Sequence, residues 1–287
     1  MSKKETLGNK ANATWRWLCA ALVWVATASC TLPENAGPKI RESVGAPPIS
    51  PERRAYTVKT GTTNLAPPEE PPLPAYLAIA ATPDPVPGVL LLADAETSRS
   101  ADVEAEARRL ASGGYAVLVV PLPTQADPRE RSQAWGVYLQ RAVLVLQEGG
   151  ETQGRSLAVV GYGEGAARAL QLTLLEPAVV AAVAWGPPPV SLTGRLPEHR
   201  VSWLVLNAPP PFLTPDFKDW VALSGSDVRV EPAPEGSSPS EGFPGTPSAY
   251  SPASDRLRLL LHGFLAETVG SADEPSLREV LDQPREG

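Results

Sequence analysis

The 287-residue sequence predicts an α/β domain, a mostly parallel sheet with helices on both faces. Three observations carry that reading. Short apolar runs recur from residue 75 onward, and stretches of helical period fall between them. Most of the runs are apolar on consecutive rather than alternate positions, as in strands covered on both sides.

In order, the strands are expected at Tyr76–Ala81, Val89–Ala93, Ala116–Val120, Leu157–Val160, Val180–Trp185 and Val201–Asn207. Between them, Ala101–Ser112 places Val103, Ala107 and Leu110 on one helical face and stops at Gly113-Gly114. Ser132–Gln147, Glu164–Leu175, Pro215–Leu223 and Ala253–Val269 are expected as further helices. Ligands of such sheets bind beyond the carboxyl ends of the strands, so that rim is where function is sought.

Composition narrows the class. A hydrophobic share of 43% permits a real core, and a net charge of -7 argues against nucleic acid as a partner. Both cysteines, Cys19 and Cys30, lie in the first thirty residues, so the rest of the chain cannot form an internal disulfide or a thiolate metal site. No cofactor is expected.

Residues 1–30 read as a secretory signal: Lys3, Lys4, Lys10 and Arg16, then the apolar run Trp17–Ala28, then Ser29-Cys30. The run is short of the roughly 20 residues a membrane span needs. Ala28-Ser29-Cys30 resembles a bacterial lipoprotein signal, although Thr27 departs from its aliphatic preference. That resemblance implies lipidation of Cys30 and a membrane partner. It places the protein outside the cytoplasm at the bacterial envelope, and Thr31, which is not aspartate, points to the outer membrane. A short anchor helix with an incidental cysteine is the blander reading.

Ten prolines fall between Thr31 and Ala75. Residues 31–72 are expected as a semi-extended spacer, with a short first strand at 55–59. The α/β domain is expected over 73–269 and a polar, acidic tail over 270–287.

The chemistry concentrates at Leu157–Gly165. An apolar run enters Gly161-Tyr162-Gly163-Glu164-Gly165 and then a helix. The spacing is that of a nucleophile elbow, whose central residue carries the attacking atom. A strand followed by alternating glycines also fits a dinucleotide turn. Two considerations oppose that alternative: βα units precede the motif, and the next strand ends in Ala184-Trp185-Gly186-Pro187 without an acid.

From Leu73 to Glu267, the ordered segments resemble the dienelactone hydrolase family. They are Leu73–Ala78, Pro87–Leu92, Arg108–Leu118, the elbow, Val180–Ala184, Val201–Leu206 and Glu241-Gly242-Phe243 with the final helix. The resemblance implies an α/β-hydrolase-like fold. It also puts the family's nucleophile on Gly163, its histidine on Glu241 and its acid near Pro211. Ala93-Asp94 stands in place of the family's His-Gly pair.

Acyl transfer by this route needs a heteroatom nucleophile, a base and a group that orients the base. Glycine has no atom to attack with, and Glu241 lacks a neighbour to deprotonate. A carboxylate at Glu164 opposes a developing oxyanion. The expectation is therefore a degenerate triad at Gly163, Pro211 and Glu241. The pocket rim would be formed by Asp94, Tyr162, Gly163, Glu164, Trp185 and Glu241.

Other residues offer little replacement. His199 and His262 read as surface or capping histidines away from the rim, and Ser100 reads as a helix cap rather than a nucleophile, with Ser98 beside it. Asp94, Glu164 and Glu241 together offer oxygen ligands for a hard cation, but no ligand-loop spacing is present and solvated acids are the simpler reading. Trp135, Trp203 and Trp220 read as core, whereas Trp185 ends a strand at the rim. The proline runs 187–189 and 209–211 would stiffen rim loops.

The sequence thus predicts an exported, lipid-anchored hydrolase-like protein without catalysis. Its rim would bind a protein or a small molecule. An active ester or lactone hydrolase with an unorthodox site is the alternative, and a purely structural envelope protein is a third.

Overall fold

A computed structural model describes residues 40–42, 55–93, 101–121, 128–152, 155–186, 199–208, 219, 225–233, 243–244 and 252–270. Among the described residues, nine strands form one sheet. They are β1 (Ile40–Glu42), β2 (Val58–Asn64), β3 (Pro74–Ala80), β4 (Gly88–Ala93), β5 (Ala116–Pro121), β6 (Leu157–Tyr162), β7 (Val179–Trp185), β8 (Ser202–Ala208) and β9 (Asp227–Pro232). Their order is β1-β9-β8-β7-β6-β4-β5-β3-β2. β3 runs antiparallel to both its neighbours, and every other pairing is parallel. The chain crosses over between β4 and β6, so the loops after these central strands emerge on one rim.

Among the described residues, four helices cover the sheet: α1 (Ala101–Ser112), α2 (Pro128–Glu148), α3 (Glu164–Leu172) and α4 (Pro252–Thr268). Strand side chains alternate faces, and the two faces build separate apolar layers. Leu90, Leu92, Leu118, Val159 and Val205 pack with Trp135, Leu139 and Val143 of α2 and Ala166 and Leu170 of α3. Val89, Leu91, Val160, Tyr162, Val183 and Leu206 pack with Val103 and Leu110 of α1 and Leu261 and Phe264 of α4. Every residue of β4, β5 and β6 is buried, which explains the unbroken apolar runs.

Most elements fall where the sequence places them, and α1 has the predicted bounds. Its stop is the expected one: the Gly113 N–H bonds back to the Arg109 and Leu110 carbonyls, and Gly114 takes φ 96°. α3 is shorter than the expected 164–175, because the chain leaves the helix in a turn after Leu172. The helix expected at 215–223 lies outside the described residues except for Asp219, as do Trp220, Ser98, Ser100, Cys30 and the tail beyond residue 270.

The spacer reading needs correction within 55–72. The short strand expected at 55–59 runs instead over Val58–Asn64 and pairs with β3 along its whole length. Leu65 and Ala66 behind it are fully buried, and Asn64 Oδ1 accepts the Ala66 and Leu73 N–H groups at 3.1 and 2.8 Å. This part of the proline-rich stretch is tied to the domain. Farther upstream, residues 40–42 form β1 against β9. Two units divide the chain, and the first, Met1–Gly37, lies outside the described residues. Among the described residues, no helix is long and apolar enough to cross a membrane.

Candidate active site at the strand rim

β6 delivers the chain to Gly163, which caps α3 with φ 55° and ψ −116°. An L side chain rarely adopts this left-handed conformation, so the turn is the sharp strand-to-helix corner of an elbow. Two hydrogen bonds hold it: the Gly163 N–H donates to the Trp185 carbonyl at 3.1 Å, and the Ala166 N–H donates to the Gly163 carbonyl at 3.1 Å.

The flanking glycines serve a different purpose. A Cβ on Gly161 would strike the Gly165 carbonyl, and its distance to the Ala166 nitrogen would be 2.6 Å. A Cβ on Gly165 would strike the Leu92 carbonyl oxygen on β4. These contacts are backbone against backbone, so no rotamer change relieves them. At Gly163, by contrast, an added Cβ would meet only the Phe243 ring, at 3.4 Å. The two outer glycines are needed for packing. The central one faces space for a side chain it does not have.

Three aromatic residues gather behind the corner. The Tyr162 ring lies 5.5 Å from that of Trp185 and 5.7 Å, edge-on, from that of Phe243. Such contacts add about 0.5–1.5 kcal/mol per pair beyond burial. The sequence set Trp185 apart as a strand-end aromatic at the functional rim. Its side chain is instead fully buried in the α1/α4 layer, and Tyr162 is only 3% exposed. Gly163 and Phe243 are half-buried and Glu164 is exposed, so these three give the described rim its surface. Trp135 and Trp203 are core residues, as expected.

The corner recurs along the rim. Gly186 at the end of β7 has φ 61°, and Asn207 near the end of β8 has φ 53°. The Gly186 N–H donates to the Leu206 carbonyl at 2.8 Å, as Gly163 does to Trp185. Two adjacent strands, β6 and β7, thus run into left-handed glycine corners, and β8 carries a left-handed residue one position before its end, at a register shift against β9. Asn207 is the one non-glycine among the described residues with positive φ, and such strained positions cluster at functional sites. Sequence reasoning treated Asn207 only as a strand end. The available signal was that asparagine tolerates this conformation better than other side chains.

The remaining candidates divide by position. Asp94, Pro211 and Glu241 lie outside the described residues. His199 Nε2 hydrogen-bonds the carbonyl of Val179 at 3.1 Å. Val179 begins β7, at the sheet end opposite the elbow, so His199 is remote from the corner. His262 lies half-buried in the middle of α4. Among the described residues, no group of three His, Cys, Asp or Glu side chains is placed to hold a metal.

With this geometry in view, residues 73–202 match the sequence profile of the dienelactone hydrolase family. That stretch of the α/β domain is similar to the dienelactone hydrolase family. No curated protein matches the sequence. Among solved structures, a dienelactone hydrolase from Anabaena variabilis is 20% identical with a TM-score of 0.53, over 74% of this chain and 99% of its own. A dienelactone hydrolase-like promiscuous phosphotriesterase from metagenomic libraries is 20% identical with a TM-score of 0.55, over 75% of this chain and 100% of its own. An acylaminoacyl peptidase from Pyrococcus horikoshii is 10% identical with a TM-score of 0.53, over 80% of this chain and 45% of its own. These likenesses carry the α/β-hydrolase fold.

Proposed function

We propose that this dienelactone-hydrolase-like domain does not hydrolyse substrates and instead binds or scaffolds at the bacterial cell envelope, held there by a lipid on Cys30. The observation that carries the reading is the corner at residue 163. Its backbone has the φ 55°, ψ −116° geometry of an elbow, yet its residue is glycine. An added Cβ there would meet only the Phe243 ring, at an ordinary contact distance of 3.4 Å, so the corner lacks the attacking atom and not the room for it. Without an attacking atom the elbow cannot form an acyl-enzyme, whatever base lies nearby.

Several features favour recognition over an inert shell. Asn207 holds its positive φ at a conformational cost that the glycine corners at 163 and 186 do not carry and that a purely structural sheet end does not require. Beside the corner, Gly163 and Phe243 offer a small, partly exposed apolar surface bordered by the Glu164 carboxylate. That surface suits an apolar small molecule or a protein segment with a basic group near its edge. Envelope anchoring rests on the sequence of the first thirty residues, where the apolar run ends at Ser29-Cys30.

The reading is tested with the purified full chain on aryl esters and lactones. The expected result is hydrolysis no faster than the uncatalysed rate at all protein concentrations. Turnover that scales with protein and is abolished by Glu241→Gln or by another rim substitution would favour the unorthodox hydrolase instead.

A further inference from the structure

A sealed carboxylate lies behind the elbow. Glu106 of α1 is 2% exposed, and its Oε2 accepts hydrogen bonds from Arg258 Nε of α4, at 3.3 Å, and from Arg109. The Arg258 guanidinium also donates to Ser254 Oγ at 3.3 Å and Asp255 Oδ1 at 3.4 Å. This is a cross-helix ion pair, buried in the layer shared by α1, α4 and the end of β6. Only half of the carboxylate is satisfied. Glu106 Oε1 is sealed from solvent and makes no hydrogen bond, and the same holds for the Tyr162 hydroxyl.

Such an atom is costly as an ionised oxygen and far less so as a hydroxyl. The groups that face Glu106 are Arg109 on its own helix, Arg258 and beyond it Asp255 on α4, and the Tyr162 phenol on β6. We propose that Glu106 is a proton-uptake site, converting the α1–α4 joint behind the elbow from a charged link to a neutral one on acidification. The proton goes to Oε1, the oxygen without a partner, and Oε2 remains with Arg258. The joint lies one residue from the corner, because Tyr162 precedes Gly163 and its ring touches both Trp185 and Phe243. Its state therefore sets the packing behind the rim, whether or not the rim is catalytic.

The electrostatic balance agrees with this geometry. Burial raises the Glu106 carboxyl above its ordinary value of 4.5, and the guanidiniums of Arg109 and Arg258 only partly oppose it. Tyr162 is pushed further up, first by burial and then by the Glu106 charge, so it stays a neutral phenol. The folded carboxyl holds its proton to a higher pH than the unfolded one, so folding takes up a proton between the two values. In that window stability falls as pH rises; below 4.5 the full contribution is present, and above the raised value it is lost.

The test uses the full chain over a pH series with two readouts, the folding equilibrium from denaturant unfolding and the infrared band of protonated carboxyl groups. Wild type is expected to lose stability with rising pH by up to about tenfold per pH unit within the window. Its carboxyl band should persist above the pH at which exposed carboxylates ionise. Glu106→Gln removes both the slope and the persistent band. If that variant fails to fold, the double variant Glu106→Leu/Arg258→Leu, which leaves no buried charge, must show the same two losses. Tyr162→Phe keeps both signals. An unchanged slope and band in the Glu106 variants would overturn the proposal, and so would their loss in Tyr162→Phe.

Discussion

Gly161→Ala is expected to destabilise the domain by about 3 kcal/mol, near the upper end for overpacking. The new methyl group would lie on the Gly165 carbonyl and 2.6 Å from the Ala166 nitrogen, so α3 must lift from β6. Lifting α3 also opens its contact with β4, where Gly165 rests against the Leu92 carbonyl. Thermal unfolding followed by circular dichroism should show a fall in Tm of about 6–12 °C for a domain of this size. An unchanged Tm would mean that strand and helix do not approach as closely as the structure has them. Gly165→Ala should behave similarly, because it meets the opposite wall of the same packing.

Arg258→Leu is expected to cost as much, for an electrostatic reason. Removing one partner of a buried ion pair costs about 3–5 kcal/mol, because the other charge stays in a poor solvent. Glu106 would keep only Arg109, whose side chain is 41% exposed and spends its charge largely on water. The lower end of the range is therefore expected at neutral pH, measured as a shift in urea midpoint. Replacing both partners, Glu106→Leu with Arg258→Leu, should recover most of the loss, since well-packed apolar pairs of similar volume often match buried ion pairs. The penalty of Arg258→Leu alone should shrink as the pH falls and Glu106 becomes neutral. A double variant no better than the single would show that Arg258 stabilises α4 through Ser254 and Asp255 rather than through Glu106.

The parts of this molecule that were legible in the sequence are those where one force dominates. β4 to β8 announce themselves because burial on both faces demands apolar residues at nearly every position. α1 was legible to the residue because its apolar stripe and its Gly113-Gly114 stop agree. β9 was missed because its two valines, Val228 and Val230, alternate with charged residues. The structure accounts for the charges: Arg229 binds Glu267, and Arg256 binds Glu231, both from α4. β1 was missed because three residues in a proline-rich stretch have no pattern of their own, and only pairing with β9 makes them a strand.

At the site, the glycine spacing conveyed the elbow because close backbone approach leaves no other residue possible at Gly161 and Gly165. The Glu106–Arg258 pair could not be read, since its partners are 152 residues apart. Glu106 also looks like one more charge on an amphipathic helix, beside Val103 and Ala107 on the inward face. Trp185 illustrates the opposite error. Its place at a strand end suggested a rim residue, but a side chain at the last strand position still alternates with its neighbours, and this one points into the α1/α4 layer.

Covalent labelling of the folded full chain asks most directly whether anything on this rim can attack an acyl or phosphoryl centre. A fluorophosphonate and an aryl chloromethyl ketone, followed by intact mass and peptide mapping, are expected to leave the rim unmodified at stoichiometric reagent. A single stoichiometric adduct on a rim side chain, competed away by an ester or a lactone, would contradict the account.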